Sequence, residues 1–283
     1  MLRKIFLADS LVEGPFSGWP VFVVFLEKPL DKFKMVSLAS ELGSRQTVFV
    51  LIHGKSVLLR FFSNTQEIGL GVHACHAVTH LIYELGLLPP SEDCRLLTQE
   101  GEILAKSLAP NFTVLTLKAL PLSMVAQDSL EIYERVLNLN PSSVGWAAMT
   151  QDRTAVLAVD ETVNIRKLTA QPNLLAQCGA AALAVTAQDQ AKSGYSLRCF
   201  SPDAAIEQVL CGNLHRSLAP QWSRLLKKRE FQARQLSSRG SLIKLEIPQN
   251  DLVITTGQSK TILRCDLAMD LMANEIPVTV MGR

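Results

Sequence analysis

Two short segments carry the residues best suited to chemistry. One is Gly69-Leu70-Gly71-Val72, which leads into His73; the other is Leu210-Cys211-Gly212-Asn213. Both read as the entry to a helix. A helix start leaves several N–H groups unpaired and carries partial positive charge. Two such starts facing each other across a cleft would hold a small carboxylate, and glycine lets the backbone come close to a ligand. Gly212-Asn213 fits that description well, and Gly71-Val72-His73 less well. Cys211 adds a thiol at a helix N-terminus, where its pKa can fall far enough to make it a nucleophile or base. A buried structural cysteine is the commoner state of a free thiol.

His73, His76 and His80 share a helix face at spacings of three and four. Zinc sites add a carboxylate or thiolate and use tighter signatures, so a satisfied set of helix-face histidines is the better reading and no metal is expected. The chain has no phosphate loop, no GxGxxG after a strand and no nucleophile elbow. Lys227-Lys228-Arg229-Glu230 reads as a solvated helix end. Arg198, Arg234 and Arg239 could bind anions, but surface ion pairs are the commoner role.

The elements that must position these residues follow from patterning. Apolar, β-branched runs at Val21–Phe25, Thr47–Ile52, Val57–Phe62, Phe112–Leu117, Ala155–Val159 and Leu242–Ile247 predict strands. Helical spacing predicts a helix over His73–Leu85, ended by Gly86 and Pro89-Pro90, and another over Asn213–Lys228. Pro220 lies inside the second and predicts a kink or break. Shorter helices are expected at Phe33–Leu42 and Ser129–Leu137. Each main helix follows a strand-like run ending in Phe, then a loop and a small-residue turn. That repetition suggests a duplicated strand–loop–helix unit, one per half, with Ala119 to Ser123 as a crossing between halves.

Composition sets the class. Of 283 residues, 48% are hydrophobic and 19% charged, enough for a buried core and against wholesale disorder. A formal net charge of +2 is too small to argue for nucleic acid or an acidic membrane. The N-terminal apolar run breaks at Asp9 without a cleavage site, so no signal peptide is expected. No uncharged apolar stretch of about 18 residues predicts a membrane span. Six scattered cysteines without CxxC pairs read as reduced thiols of a cytoplasmic protein.

The turns also carry a resemblance. Asp9-Ser10-Leu11 with Gly14-Pro15-Phe16-Ser17-Gly18-Trp19-Pro20 is similar to DAFT…PFxGNP, and Leu42 to Val50 resembles NxSETAFV. Arg60-Phe61-Phe62-Ser63 with Glu67 to Ala74 resembles RWFTP…EVPLCGHAT. Thr98 to Glu102 resembles a TxSGE turn, Arg198 to Pro202 resembles SRFFAP, Glu207 to His215 resembles EDPVTGSAH, and Ala219 to Trp222 resembles APYW. In this order they resemble the phenazine-biosynthesis (PhzF-like) isomerases, relatives of diaminopimelate epimerase. The resemblance implies an α+β fold of two pseudo-symmetric halves, each a curled, mostly antiparallel sheet around a central helix. The expected division is 1–118, with the tail 266–283 packed on it, and 119–265, with an active-site cleft between. It further implies proton transfer on a small carboxylate-bearing metabolite without a cofactor, and a homodimer.

The sequence departs from the family pattern at the site. Gln46 replaces the acid/base glutamate, and a neutral amide does not take a proton at physiological pH. Gln208 stands at the aspartate, Asn213 at the serine, Trp19 at the asparagine of GNP, and Gly71-Val72 at the Cys-Gly of the first turn. A two-thiol racemase is therefore not expected. The candidate catalytic residues are Cys211, His73 and Gln46; the candidate substrate-binding residues are Gly71, Val72, Gln208, Gly212, Asn213 and Trp19. Two functions stay open: an isomerase-type enzyme with changed chemistry, or a non-catalytic binding or regulatory protein that kept the fold.

Overall fold

The computed structural model describes residues 4–43, 46–125, 130–202, 211–249 and 251–267. Its strands are β1 (Lys4–Ser10), β2 (Trp19–Leu26), β3 (Thr47–His53), β4 (Ser56–Phe62), β5 (Glu67–Ile68), β6 (Cys94–Thr98), β7 (Gly101–Ala109) and β8 (Phe112–Lys118), then β9 (Ser123–Met124), β10 (Val144–Met149), β11 (Thr154–Val159), β12 (Ala182–Gln188), β13 (Gly194–Phe200), β14 (Glu230–Gln235), β15 (Ser241–Glu246) and β16 (Leu252–Asp266). The helices are α1 (Lys32–Glu41), α2 (Val72–Glu84), α3 (Glu131–Leu137), α4 (Pro172–Gln177) and α5 (Cys211–Leu226). All six apolar runs form strands. All four expected helices form too, α2 and α5 starting one and two residues earlier than their spacing predicted; Ser129 lies outside the described residues. The missed strands include β12 and β16, whose alanines, serines and threonines give weak apolar contrast that hides the alternation.

The strands join in one sheet, ordered β1-β2-β3-β4-β6-β7-β8-β16-β15-β14-β13-β12-β11-β10-β9. Its two arms repeat one pattern. From β1 to β8 successive pairings run antiparallel, parallel, antiparallel, parallel, antiparallel, antiparallel. From β10 to β16 the series is the same. The chain is thus two pseudo-symmetric α+β halves, each a curled sheet carrying a central helix, α2 in one and α5 in the other.

The arms differ in closure. β16 pairs with β8 along Leu252–Gln258 and with β1 along Ser259–Asp266. This shuts the first arm into a ring of eight strands around α2. The second arm has no corresponding pairing from β9 or β10 back to β16 among the described residues. Accordingly α2 is buried from Val72 to Ile82, whereas Arg224 and Leu225 of α5 are exposed. Each half also has an outer apolar layer, under α1 in the first and under α3 and α4 in the second. We propose residues 1–118 and 119–265 as the two domains, a division supported by the arms of the sheet; residues 268–283 of the expected packed tail lie outside the described residues.

The helix α5 runs through Pro220 without the break that was one of the two expected outcomes. A proline frees the carbonyl four residues earlier, which here is that of Arg216. The Leu120 amide donates to that carbonyl at 3.1 Å. The crossing segment between the halves thus supplies the hydrogen bond that the proline removes.

Candidate site between the two helix starts

The start of α2 lies at the end of the closed ring where β1 finishes and β2 and β3 begin. Val48 and Val50 of β3 face the inner core, so by alternation Gln46 faces inward too. Its carboxamide lies directly on Gly71, the N-cap of α2: a Cβ there would stand 2.8 Å from Gln46 Cδ. Glycine is required at 71 for this close approach. Ser10, the last residue of β1, faces Ser259 of β16 in register. Both hydroxyls are buried without a hydrogen-bond partner among the described residues.

His73 follows one residue into α2. It is 3% exposed, and neither ring nitrogen has a hydrogen-bond partner among the described residues. Burial drives its pKa down to about 4, so the ring is neutral at pH 7. The other two histidines of this face are satisfied, as expected. His76 bridges Thr113 Oγ1 at 2.7 Å and Thr255 Oγ1 at 3.0 Å, and burial holds its pKa near about 3. His80 reaches Thr261 Oγ1 at 3.2 Å and Glu84 at 3.4 Å. Burial also raises the Cys75 thiol well above its ordinary range.

The second helix start meets the first. Asn213 Nδ2 donates to the Leu70 carbonyl at 2.6 Å, and the Leu70 amide donates to Glu100 Oε1 at 3.1 Å. Arg216, one turn into α5, donates from Nη1 to Glu100 Oε2 at 2.7 Å and from Nε to the Lys118 carbonyl at 2.9 Å. The structure therefore brings Gln46, Gly71, Val72, His73 and Asn213 to one place. Trp19, the first residue of β2 and paired with Ser10, is buried at the same end of the ring. Gly212 is the second residue of α5; Gln208 and the side chain of Cys211 lie outside the described residues.

Among the arginines weighed from sequence, Arg234 and Arg239 form ion pairs that tie the halves together, to Glu13 at 2.7 Å and to Asp9 at 2.8 Å. The Arg198 guanidinium donates to the carbonyls of Ile165, Arg166 and Leu168. Sequence reasoning missed Glu100 and Arg216. The available signals were a glutamate in a Gly101 turn and an arginine four residues before a mid-helix proline.

A doubled, curled sheet with two central helices meeting at their starts defines the diaminopimelate epimerase-like class of fold. The phenazine biosynthesis-like protein family model matches residues 8–264, and the chain belongs to that family. An uncharacterized isomerase from Halalkalibacterium halodurans is 28% identical over 273 residues, covering 95% of this chain and 100% of its own. A PhzF-family phenazine biosynthesis protein from Enterococcus faecalis superposes with a TM-score of 0.81 at 25% identity, covering 93% of this chain and 98% of that one. A probable proline racemase from Agrobacterium radiobacter, 12% identical, shares the fold with a TM-score of 0.63, over 95% of this chain and 94% of its own.

Proposed function

We propose that this protein moves a proton on a small carboxylate-bearing metabolite without a cofactor, using His73 where other family members rely on a glutamate. The observation that carries this reading is the His73 ring. It is sealed at a helix start, neutral, and without a partner for either nitrogen among the described residues. A buried polar group left unbonded costs about 1–3 kcal/mol, which a bound ligand would relieve. A neutral imidazole accepts at one nitrogen while donating at the other. It can take a proton from the carbon next to a carboxylate and return it to another face or a neighbouring carbon, leaving the atom count unchanged. The substrate's negative charge at the helix starts favours the imidazolium that forms meanwhile. Gln46 contributes hydrogen bonds but no proton. Trp19 belongs to the pocket in this reading; Cys211, Gly212 and Gln208 are carried from the sequence as its further candidates, with Cys211 as the second candidate for proton transfer.

Gln46 supports one further reading, a protein that binds the carboxylate without turning it over. The two separate in deuterated water. Small 2-amino, 2-hydroxy and unsaturated carboxylates are incubated with the protein and their C–H signals followed by NMR. Turnover predicts deuterium uptake by at least one of them, lost in His73→Gln or in Cys211→Ala. Binding that broadens ligand signals without any uptake selects the second reading. Uptake that persists unchanged in both variants would rule out the assigned chemistry.

Among the described residues no helix is long and apolar enough to cross a membrane. A reducing, cytoplasmic setting fits the free thiols of Cys75, Cys94, Cys178, Cys199 and Cys265. A homodimer belongs to the same reading, and light scattering of the purified chain measures it.

A further inference from the structure

The contacts between the helix starts form a closed circuit. The Leu70 amide donates to one oxygen of Glu100, and Arg216 donates to the other. Arg216 Nη1 also reaches Asn213 Oδ1 at 3.5 Å, and Asn213 Nδ2 returns to the Leu70 carbonyl. Both backbone groups of the residue just before Gly71 are thus fixed by side chains, one from the β6–β7 turn and one from α5. Arg216 holds more than this circuit. Its Nε binds the Lys118 carbonyl, and its own carbonyl, freed by Pro220, takes the Leu120 amide.

The side chain of Arg216 is 6% exposed and that of Glu100 is 39% exposed. A buried guanidinium needs a carboxylate partner, and two parallel demands on that carboxylate fix its orientation. Strands, crossing segment and both helix starts then share one reference point. Asn213 and Glu100 also stand where the EDPVTGSAH and TxSGE patterns have serine, so two departures from those patterns meet in one circuit.

We infer that Arg216, Glu100 and Asn213 act as an inter-half clamp that sets the position of Leu70-Gly71 and, through it, the His73 ring. Arg216 and Glu100 are positioning residues: Arg216 is held by Glu100 and does not serve as the carboxylate-binding cation. The clamp concerns the same site as the proposed proton transfer but holds whether that site turns substrate over or only binds it.

The test uses the full-length, ligand-free protein and two NMR readouts: hydrogen exchange of the Leu70 amide, and the His73 ring resonances assigned with His73→Gln. Arg216 does not touch Leu70 or His73 directly in the contacts above. Arg216→Ala is expected to speed Leu70 exchange about five- to tenfold, the loss of one hydrogen bond's protection, and to shift the His73 signals. Arg216→Lys, which restores charge opposite Glu100, recovers most of both effects. In a Glu100→Ala background, Arg216→Ala adds nothing further at Leu70. Asn213→Ala, a milder change, shifts the His73 signals on its own. Variants that lose stability while Leu70 protection and the His73 signals stay native would overturn the clamp, and so would an unmoved His73 signal in Asn213→Ala if Arg216→Ala fails to fold. Failure of the proton-transfer reading shows instead as absent deuterium uptake, with these signals behaving as described.

Discussion

The two central helices occupy matching places in a repeated topology, yet they live in different surroundings. α2 is sealed inside a closed ring of strands, and even its histidines are buried. α5 lies in an arm that stays open among the described residues; it is buried from Leu214 to Ala219 and exposed at Arg224 and Leu225 near its C-terminal end. The cores differ in kind as well. Around α2 the inner polar groups are histidine–threonine contacts, to Thr113, Thr255 and Thr261. Around α5 they are aromatic: Tyr195 stacks on Trp222 with centroids 5.5 Å apart and hydrogen-bonds His215 at 2.6 Å. A repeated topology therefore gives one half whose strands close into a ring and one whose described strands do not. The site at the junction takes its sealed histidine from the first and its clamping arginine from the second.

Acid tests this contrast most severely. Burial lowers the pKa of His73 to about 4, of His76 to about 3 and of His215 to about 4. The unfolded chain titrates its histidines near about 6.5. Below that pH it binds protons the folded state refuses. The stability from each such ring is complete above about pH 6.5 and lost as pH falls toward the folded value, roughly 3 kcal/mol per ring. Against an ordinary total of about 5–15 kcal/mol, the protein is expected to unfold above about pH 4, as followed by circular dichroism. Two of these rings sit on α2 and one on α5. A His215→Gln variant that flattens the pH profile as much as His73→Gln and His76→Gln combined would break the comparison.

Packing gives the next largest effect. Leu81 of α2 is fully buried, and Leu81→Ala is expected to cost about 2–5 kcal/mol in urea unfolding. Leu225, half exposed on α5, should change stability by less than about 0.5 kcal/mol when cut to Ala. Equal costs would mean that closure of the ring does not decide how the helices are held.

Gly71→Ala is more local. The new methyl collides with the Gln46 carboxamide, and overpacking of this sort costs about 1–3 kcal/mol. The same melt should show the loss reversed in part by Gln46→Ala, which opens the space. Smallest is Arg234→Ala. Its exposed pair with Glu13 joins the halves, but such pairs contribute less than about 1 kcal/mol. A larger loss would mark that seam, rather than Arg216, as the main tie between the halves.

The sequence by itself determined the local elements. Short, β-branched runs such as Thr47–Ile52 favour strands, and the apolar spacing of α2 and α5 appears in the order of residues. The glycines at 71 and 212 and the repeated strand–loop–helix pattern were equally legible, and so was the departure of Gln46 from the pattern the chain resembles. Tertiary structure alone decided that the long β16 is shared by both halves and closes only one of them, because strand pairing depends on partners far along the chain and leaves no local period. It also decided that Glu100 meets Arg216, 116 residues away, and that Leu120 answers the carbonyl freed by Pro220. Such contacts depend on where two surfaces come to rest, and residue types alone do not encode that.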